Sequence, residues 1–331
     1  MYKKADIVAV DGGFGVFSAR SLAGKRVTFR AAAIRLPDEH REQANWVDKS
    51  GYWLVGDKAV MNGNAARGST DTKYYTSDEF RVMFLFALKE LGVKNAAVIT
   101  GLPQESFKQL KSTHSSNVKA FTKQLNREDE FSIAMVVTIP QVMGALMSPS
   151  LRDFEGKPVD LSHGKVGILD IGDGTIDGAE AFEGSPNPNV HYGANKGCSD
   201  IHRQILRGFS ESKKFEIGNE VNVHIIDKWL RDGFFYYRGE KIDLTGLDFV
   251  KKAKAAYLPE ITTAIKSMWG TSNTLRYLIL SGGGPALLTR ALCEKVVPQK
   301  QLVIPDDPGE ANVDGFLEML RLQLEQKKMI G

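Results

Sequence analysis

Two segments of the chain repeat the same spacing of aspartate and glycine. Residues 10–15 read V-D-G-G-F-G, and residues 169–174 read L-D-I-G-D-G. In each segment an apolar run ends in an aspartate, Asp11 or Asp170, and glycines follow two and four residues later. A second apolar run comes next in both places, so the pattern predicts a β-hairpin with a glycine-rich turn.

This spacing suits the binding of phosphate. Glycine lacks a Cβ, so successive backbone N–H groups of such a turn can converge on an anion. The aspartate at the strand end can hold a hydrated divalent cation, and Mg²⁺ suits this role because it keeps several waters and uses one or two carboxylates. We therefore predict that Asp11 and Asp170 hold Mg²⁺ through water. The residues predicted to contact the phosphates are Gly12, Gly13, Phe14 and Gly15 in the first segment and Gly172, Asp173, Gly174 and Thr175 in the second.

A single segment of this kind has a simpler interpretation. A glycine-rich hairpin turn can lie beside an aspartate that only caps backbone groups. Two segments in the same register, one opening each half of the chain, favour phosphate binding over that interpretation.

A third glycine cluster lies near the end of the chain. Residues 278–288 read L-I-L-S-G-G-G-P-A-L-L, which predicts a strand, three glycines and the start of a helix. Such a turn lets a flat ligand or a phosphate approach the backbone closely. The spacing matches neither the dinucleotide fingerprint nor the P-loop. A tight turn in any α/β protein is the alternative role for Gly282, Gly283 and Gly284.

A glutamine follows the strand predicted for residues 133–139. Residues 139–145 read I-P-Q-V-M-G-A, so Gln141 stands where this strand ends and a helix of small residues begins. A glutamine cannot take a proton, but it can orient an attacking water, and orientation matters greatly in phosphoryl transfer. A solvated glutamine at a helix start is the alternative.

These motifs, in this order, resemble those of the actin, hexokinase and heat-shock chaperone superfamily. Within it the chain resembles the ParM/StbA-type plasmid-segregation actins, because three further motifs are similar. The chain departs from that pattern at Asp173, where many relatives carry Gly or Ser, at Gln141, where ParM-type relatives commonly carry Glu, and at Asp314, where many carry Arg. The three further motifs are W-L-V-G-D-K-A at residues 53–59, T-G-L-P at residues 100–103 and D-P-G-E-A-N-V-D-G-F at residues 307–316.

The resemblance implies an ATPase that polymerises. It implies that the two hairpins bind the phosphates, that Gly282, Gly283 and Gly284 line the adenosine, and that Gln141 orients the attacking water. Asp170 would polarise that water on the metal side, with Asp11 as its partner. ATP is the implied nucleotide, with GTP as an alternative, and Mg²⁺ the implied metal. The implied partners are other copies of the chain in a head-to-tail filament and a DNA-binding adaptor for plasmid segregation.

The fold predicted is α/β, an actin-like, ribonuclease H-like duplicated fold with two lobes around a nucleotide cleft. The chain has 331 residues, more than the roughly 250–300 that one hydrophobic core usually serves. We assign residues 1–155 to the first lobe, with a small outer subdomain at about residues 35–75, and expect residues 305–331 to complete this lobe. Residues 156–304 form the second lobe.

Composition argues against several classes of protein. The net charge is +3 without a basic block, so direct binding to nucleic acid is not expected. No apolar run reaches the ~20 residues needed to span a bilayer, and no signal peptide is visible, so we expect a cytoplasmic protein without a membrane partner. The two cysteines, Cys198 and Cys293, are too few for a disulfide framework.

Local patterns predict further elements. We expect a strand at residues 27–34, a loop at residues 35–50 and an exposed connection at residues 62–75. Thr76 and Glu79 fit a capping box at the start of a helix that Gly92 ends. One continuous helix is expected at residues 285–296.

Two other functions on the same fold remain as alternatives. A sugar or metabolite kinase would need a catalytic aspartate beside a substrate pocket, and the sequence shows no clear site for one. A non-polymerising, nucleotide-gated module of the chaperone kind would be expected to carry a peptide-binding domain.

Overall fold

The structure is a computed structural model that describes residues 5–62, 72–126, 131–218 and 221–326. It divides into two compact units. One contains Met1–Leu151 and Pro305–Gly331, and the other contains Arg152–Ile304. None of the helices in these described ranges combines the length and the apolar character that crossing a bilayer requires.

Strands and helices alternate along both units. The strands in chain order are β1 (Asp6–Gly12), β2 (Val16–Ser21), β3 (Arg26–Arg30), β4 (Ala33–Leu36), β5 (Trp46–Asp48), β6 (Gly51–Val55), β7 (Asn95–Leu102), β8 (Ser132–Pro140), β9 (Lys165–Ile171), β10 (Ile176–Phe182), β11 (Ser185–Ala194), β12 (Phe234–Tyr237), β13 (Glu240–Asp243), β14 (Leu275–Ser281) and β15 (Leu302–Val303). The helices are α1 (Asp57–Met61), α2 (Asp78–Leu91), α3 (Gln104–Leu110), α4 (His114–Phe121), α5 (Met143–Leu146), α6 (Cys198–Glu211), α7 (Val223–Asp232), α8 (Asp248–Ala256), α9 (Leu258–Trp269), α10 (Gly283–Leu288), α11 (Arg290–Cys293) and α12 (Ala311–Gln326). Short 3₁₀ helices occur at Asp38–Gln43, Thr72–Thr76 and Thr122–Gln124.

The two units contain five-stranded sheets of the same design. The strand order is β3-β2-β1-β7-β8 in the first and β11-β10-β9-β14-β15 in the second. In each sheet the central strand pairs antiparallel with its hairpin partner and parallel with the strand on its other side. The duplicated α/β fold predicted from the sequence is therefore confirmed.

Strand β1 is apolar from Ile7 to Val10 because both faces of its sheet are covered there. Val8 and Val10 belong to the core that includes Phe84 of α2. Ile7 and Ala9 face the opposite way, into a second core formed with the C-terminal helix α12. The C-terminal segment thus completes the first unit, and the central strand is fixed from two sides.

Several local predictions need correction. The strand predicted at residues 27–34 is two strands, β3 and β4, that belong to different sheets. They separate because the backbone turns at residues 31 and 32, where Ala31 N donates to the Gly15 carbonyl at 3.1 Å. The loop predicted at residues 35–50 contains a 3₁₀ helix and β5, and β4, β6 and β5 form a three-stranded sheet.

Helix boundaries also differ from the predicted ones. The cap of α2 is Ser77, whose hydroxyl accepts from Phe80 N, and not Thr76, while Gly92 ends the helix in the left-handed conformation as predicted. The helix predicted at residues 285–296 is broken into α10 and α11 by Thr289, which has a φ of 73°. Of the connection predicted at residues 62–75, residues 63–71 lie outside the described ranges, and the 3₁₀ helix that follows buries Tyr74 and Tyr75.

Candidate functional site

The first aspartate–glycine segment forms the hairpin of β1 and β2. Asp11 pairs with Ser18 and Gly12 pairs with Phe17, so Gly13, Phe14 and Gly15 lie in the turn. Asp11 is 8% exposed at the carboxyl end of the central strand. The structure therefore places the predicted carboxylate next to the predicted phosphate turn.

Asp11 and Gln141 are in direct contact. The Gln141 Nε2 donates a hydrogen bond to Asp11 Oδ1 at 2.8 Å. Both residues lie at the carboxyl ends of strands of one sheet, β1 and β8, which run in the same direction. Since the side-chain Nε2 of Gln141 faces the carboxylate, the side-chain Oε1 of Gln141 points away from Asp11 and can accept a hydrogen bond from a water.

The turn that carries Gln141 packs against helix α12. The Asn312 Oδ1 accepts a hydrogen bond from Ala145 N at 3.1 Å, and Asn312 is buried. Gly315 lies so close to the Gly144 carbonyl that any Cβ at Gly315 would overlap it. The C-terminal motif at residues 307–316 therefore holds the element that follows Gln141, a contact that sequence reasoning did not predict.

An aromatic cluster supports the first turn from within the unit. Phe14, predicted to contact the nucleotide, is 6% exposed and packs on Tyr74 with ring centroids 5.0 Å apart. The Tyr74 hydroxyl donates to the Gly13 carbonyl at 3.2 Å. Burial, and then the negative charge of Asp11, raise the pKa of Tyr74 well above its ordinary value, so it stays a donor. Phe14 can thus reach a ligand only through its backbone. Tyr74 was missed because it lies in a segment predicted as an exposed connection.

The second segment forms the equivalent hairpin of β9 and β10. Ile171 pairs with Ile176, and Gly172 N donates to the Thr175 carbonyl at 2.9 Å to close the turn. Asp170 is 6% exposed, and its Oδ1 accepts a hydrogen bond from the Ser281 hydroxyl at 3.2 Å. Ser281 directly precedes the third glycine cluster, and no sequence pattern indicated this contact.

The start of helix α6 orients the second turn. Cys198 N and Ser199 N donate to the carbonyl oxygens of Gly172 and Asp173, both at 2.9 Å. In a trans peptide the C=O and N–H groups point in opposite directions. The N–H groups of Asp173 and Gly174 therefore point away from α6, and two successive N–H groups in a turn form a concave site for an anion.

The third cluster packs on the second hairpin. Gly282 has a φ of 83°, and a Cβ there would lie 2.5 Å from Asp170 Oδ1. A Cβ at Gly284 would overlap the Ile171 side chain, whereas a Cβ at Gly283 would meet no atom within 4 Å. Close packing thus explains why glycine occupies positions 282 and 284. At Gly283 an added side chain would extend into open space.

The carboxylates fit the magnesium ion that the sequence predicts. Each unit presents a buried aspartate at a strand end beside a glycine turn. In the described ranges no group of three or more His, Cys, Asp or Glu side chains is arranged to hold a metal ion. Mg²⁺ does not require such a cluster, because it binds through one or two carboxylates together with waters and phosphate oxygens.

Comparison with known proteins gives matches to both units. A family model described as the actin-like proteins N-terminal domain matches residues 9–144. A model described as the C-terminal domain of the archaeal, MreB-like actin homologue matches residues 168–294. No curated protein matches the chain by sequence.

Solved structures similar to this one include filaments and a nucleotide complex. A 15-stranded ParM filament from Clostridium botulinum has a TM-score of 0.75 at 21% sequence identity. The match covers 96% of this chain and 99% of the ParM chain. An archaeal actin homologue, Ta0583, in complex with ADP has a TM-score of 0.69 at 19% identity with the same coverage of 96% and 99%. A MamK double-helical filament has a TM-score of 0.70 at 15% identity, again covering 96% and 99%. At these identities the likeness shows the fold.

Proposed function

Because the chain belongs to the actin-like proteins, as its two domain matches show, we propose that it is an ATP hydrolase that polymerises into nucleotide-dependent filaments. The observation that carries this proposal is the duplicated hairpin. Asp11 and Asp170 occupy equivalent register positions on the central strands of two sheets with the same strand order. Each is followed by a glycine turn suited to phosphate.

The proposed roles follow from the contacts. Asp11 and Asp170 are each proposed as a carboxylate that acts through water on Mg²⁺, and that ion would neutralise charge on the phosphate oxygens. Gln141, whose amide nitrogen is held by Asp11, would accept a hydrogen bond from the attacking water and so orient it. Neither turn supplies a strong base, so this site works by orientation and charge stabilisation, as is usual in phosphoryl transfer.

We propose adenine as the base, with GTP as the alternative nucleotide. The ADP complex of the archaeal actin homologue supports adenine. In this chain Gly283 is the position in the third cluster at which added volume would reach open space, so it is assigned to the nucleoside.

We further propose that the filament segregates plasmid DNA through a DNA-binding adaptor. The motifs at residues 53–59, 100–103 and 307–316 support this role through their resemblance to plasmid-segregation actins. The net charge of +3 favours an indirect link to DNA. Purified protein should leave the mobility of duplex DNA unchanged at physiological salt, and a shift by the protein alone would contradict the adaptor.

Phosphate release from Mg-ATP tests the proposed chemistry. We expect Gln141→Ala to bind ATP as the wild type does but to release phosphate about a hundredfold more slowly, because the water is no longer oriented. Asp170→Ala should weaken Mg-ATP binding itself. The matched control is Gln43→Ala, which changes an exposed glutamine in the first unit and should behave as wild type. A wild-type protein that releases no phosphate from ATP or GTP would overturn the proposal.

A further inference from the structure

The side chain of Glu310 connects the start of helix α12 to the first hairpin. Glu310 immediately precedes α12, and its backbone carbonyl accepts a hydrogen bond from Asp314 N at 3.0 Å. Its side chain reaches the sheet, where Oε1 accepts from the Ser18 hydroxyl at 2.7 Å and from the Thr28 hydroxyl at 3.3 Å. Ser18 and Thr28 are paired residues of β2 and β3. One carboxylate therefore holds two neighbouring strands.

Arg20 adds an ion pair to this contact. It lies on β2 two residues after Ser18, so both side chains are on the same face of the sheet. Its Nη2 is 3.3 Å from Glu310 Oε2, and its Nη1 pairs with Oδ1 of Asp314 on the first turn of α12. The side chains of Arg20 and Glu310 are only 7% and 13% exposed. Because water is largely excluded there, these charge-assisted hydrogen bonds are stronger than those at an open surface.

The contacts of Glu310 lie beside Asp11. Ser18 is the residue of β2 that pairs with Asp11 on β1. Directly paired side chains point to the same face of a sheet, with their Cβ atoms about 4.5–5.5 Å apart. Ile7 and Ala9 of β1 face the core formed with α12, and Asp11 continues this alternation. Glu310 thus reaches the sheet from the face on which the Asp11 carboxylate lies.

The same end of α12 also holds the element that follows Gln141. Asn312 Oδ1 accepts a hydrogen bond from Ala145 N at 3.1 Å. The start of α12 and the residue before it therefore contact both the strand paired with Asp11 and the short helix after Gln141. The 2.8 Å hydrogen bond between the Asp11 and Gln141 side chains is thus supported on both sides by one helix.

We propose that Glu310 is a positioning residue for hydrolysis, which fixes the first hairpin to α12 so that Asp11 and Gln141 keep the geometry that orients the water. The inference rests on the proposed function, in which Gln141 orients the attacking water. The hydrogen bonds of the Glu310 side chain go to β2 and β3 and not to the glycine turn. Loss of Glu310 should therefore slow hydrolysis more than it weakens nucleotide binding.

The test is steady-state phosphate release from Mg-ATP, with kcat and KM determined separately at a temperature where every variant is folded. We expect Glu310→Ala to lower kcat about tenfold and to change KM by less than about twofold, because it misplaces a group that acts by orientation. Glu310→Gln should recover most of kcat, since its amide oxygen can still accept from Ser18 and Thr28. The matched control is Glu318→Ala, which removes a carboxylate of the same helix that pairs with Arg321 and should behave as wild type.

The outcomes distinguish this inference from the proposed function. A wild type that releases no phosphate overturns both. With an active wild type, unchanged kcat in Glu310→Ala, a KM that rises as much as kcat falls, or a Glu310→Gln variant without recovery overturns the role of Glu310 alone. If Glu310→Ala does not fold, Ser18→Ala decides, because it removes a single hydroxyl from the contact. A lower kcat at unchanged KM then supports the role, and wild-type kinetics overturn it.

Discussion

At the scale of single residues, the two equivalent aspartates are held by different partners. Asp11 accepts a hydrogen bond from the Gln141 amide, whereas Asp170 accepts one from the Ser281 hydroxyl. The amide can serve both a carboxylate and a water, because it has a donor and an acceptor on opposite sides. This difference supports the proposal that the first unit orients the water, and it leaves Asp170 beside the third glycine cluster.

The glycines of that cluster give the sharpest residue-level prediction. We expect Gly283→Ala to keep its free energy of unfolding within about 0.5 kcal/mol of wild type but to bind ATP more weakly, because the new methyl group enters open space at the proposed nucleoside site. Gly282→Ala should lose about 1–3 kcal/mol of stability, since its φ is positive and its Cβ would clash.

Urea unfolding and titration with a fluorescent ATP analogue measure the two effects. Gly282→Ala serves as the comparison for stability alone, because its Cβ would lie against Asp170 Oδ1 and would disturb the proposed ligand site as well. If Gly283→Ala binds the analogue as tightly as wild type, the third cluster does not contact the nucleotide.

A second residue-level prediction concerns pH. His114 is fully buried against Tyr75 and Phe80, and within the described ranges neither ring nitrogen has a hydrogen-bond partner. Burial lowers its pKa to about 4. As the pH falls, His114 is therefore protonated in the unfolded chain before it is protonated in the folded protein. Its contribution to the free energy of unfolding is complete above the unfolded pKa of about 6.5 and is lost as the pH falls towards 4.

Urea unfolding at pH 7 and pH 5 measures the direction in which the free energy of unfolding changes with pH. Over this interval the free energy of unfolding of the wild type should fall by about 2 kcal/mol because of His114. The free energy of unfolding of His114→Leu should fall by about 2 kcal/mol less than that of the wild type. His163→Gln, at an exposed histidine, is the control and should follow the wild type. Equal losses in His114→Leu and wild type would show that the buried imidazole is not the group responsible.

At the scale of elements, helix α12 connects the C-terminal segment to the turn that carries Gln141. It forms one of the two cores around β1 and brings Asn312 and Gly315 against the short helix that follows Gln141. A helix distant in sequence thus determines the position of Gln141, the residue proposed to orient the water.

Asn312→Ala tests this link. We expect a loss of about 1–3 kcal/mol in stability, because the buried Ala145 N–H loses its acceptor. Phosphate release should slow more than ATP binding weakens, since the Gln141 turn is displaced while the hairpins remain. Gln326→Ala, at the exposed end of the same helix, is the matched control. A destabilised variant with an unchanged turnover rate would assign Asn312 a purely structural role.

Local sequence patterns predicted the elements that depend on local chemistry. The apolar runs that end at Asp11 and Asp170 and the glycines after them are sufficient to predict both hairpins, which the structure contains. The short strand β5 could not be predicted, because it depends on pairing with β6 and on the buried ion pair of Asp48 with Arg81. The contacts of Ser281 with Asp170 and of Tyr74 with Gly13 likewise join residues far apart in the sequence.

At the scale of the whole molecule, the central feature is a duplicated unit. Two sheets with one strand order each carry an aspartate and a glycine turn at the same place. Similar structures include ParM and MamK filaments, and we propose a polymer for this chain. In a head-to-tail polymer the contact does not close on itself, so subunits can add without limit, and the nucleotide can control the length.

The measurement that tests this account most directly is light scattering followed by pelleting, with purified protein in Mg-ATP or Mg-ADP. We predict that scattering rises above a critical concentration with ATP but not with ADP, and that it decays as phosphate is released. Gln141→Ala should form the polymer and retain it longer, because hydrolysis is slow. Phosphate release without scattering or a pellet at any concentration would contradict the filament.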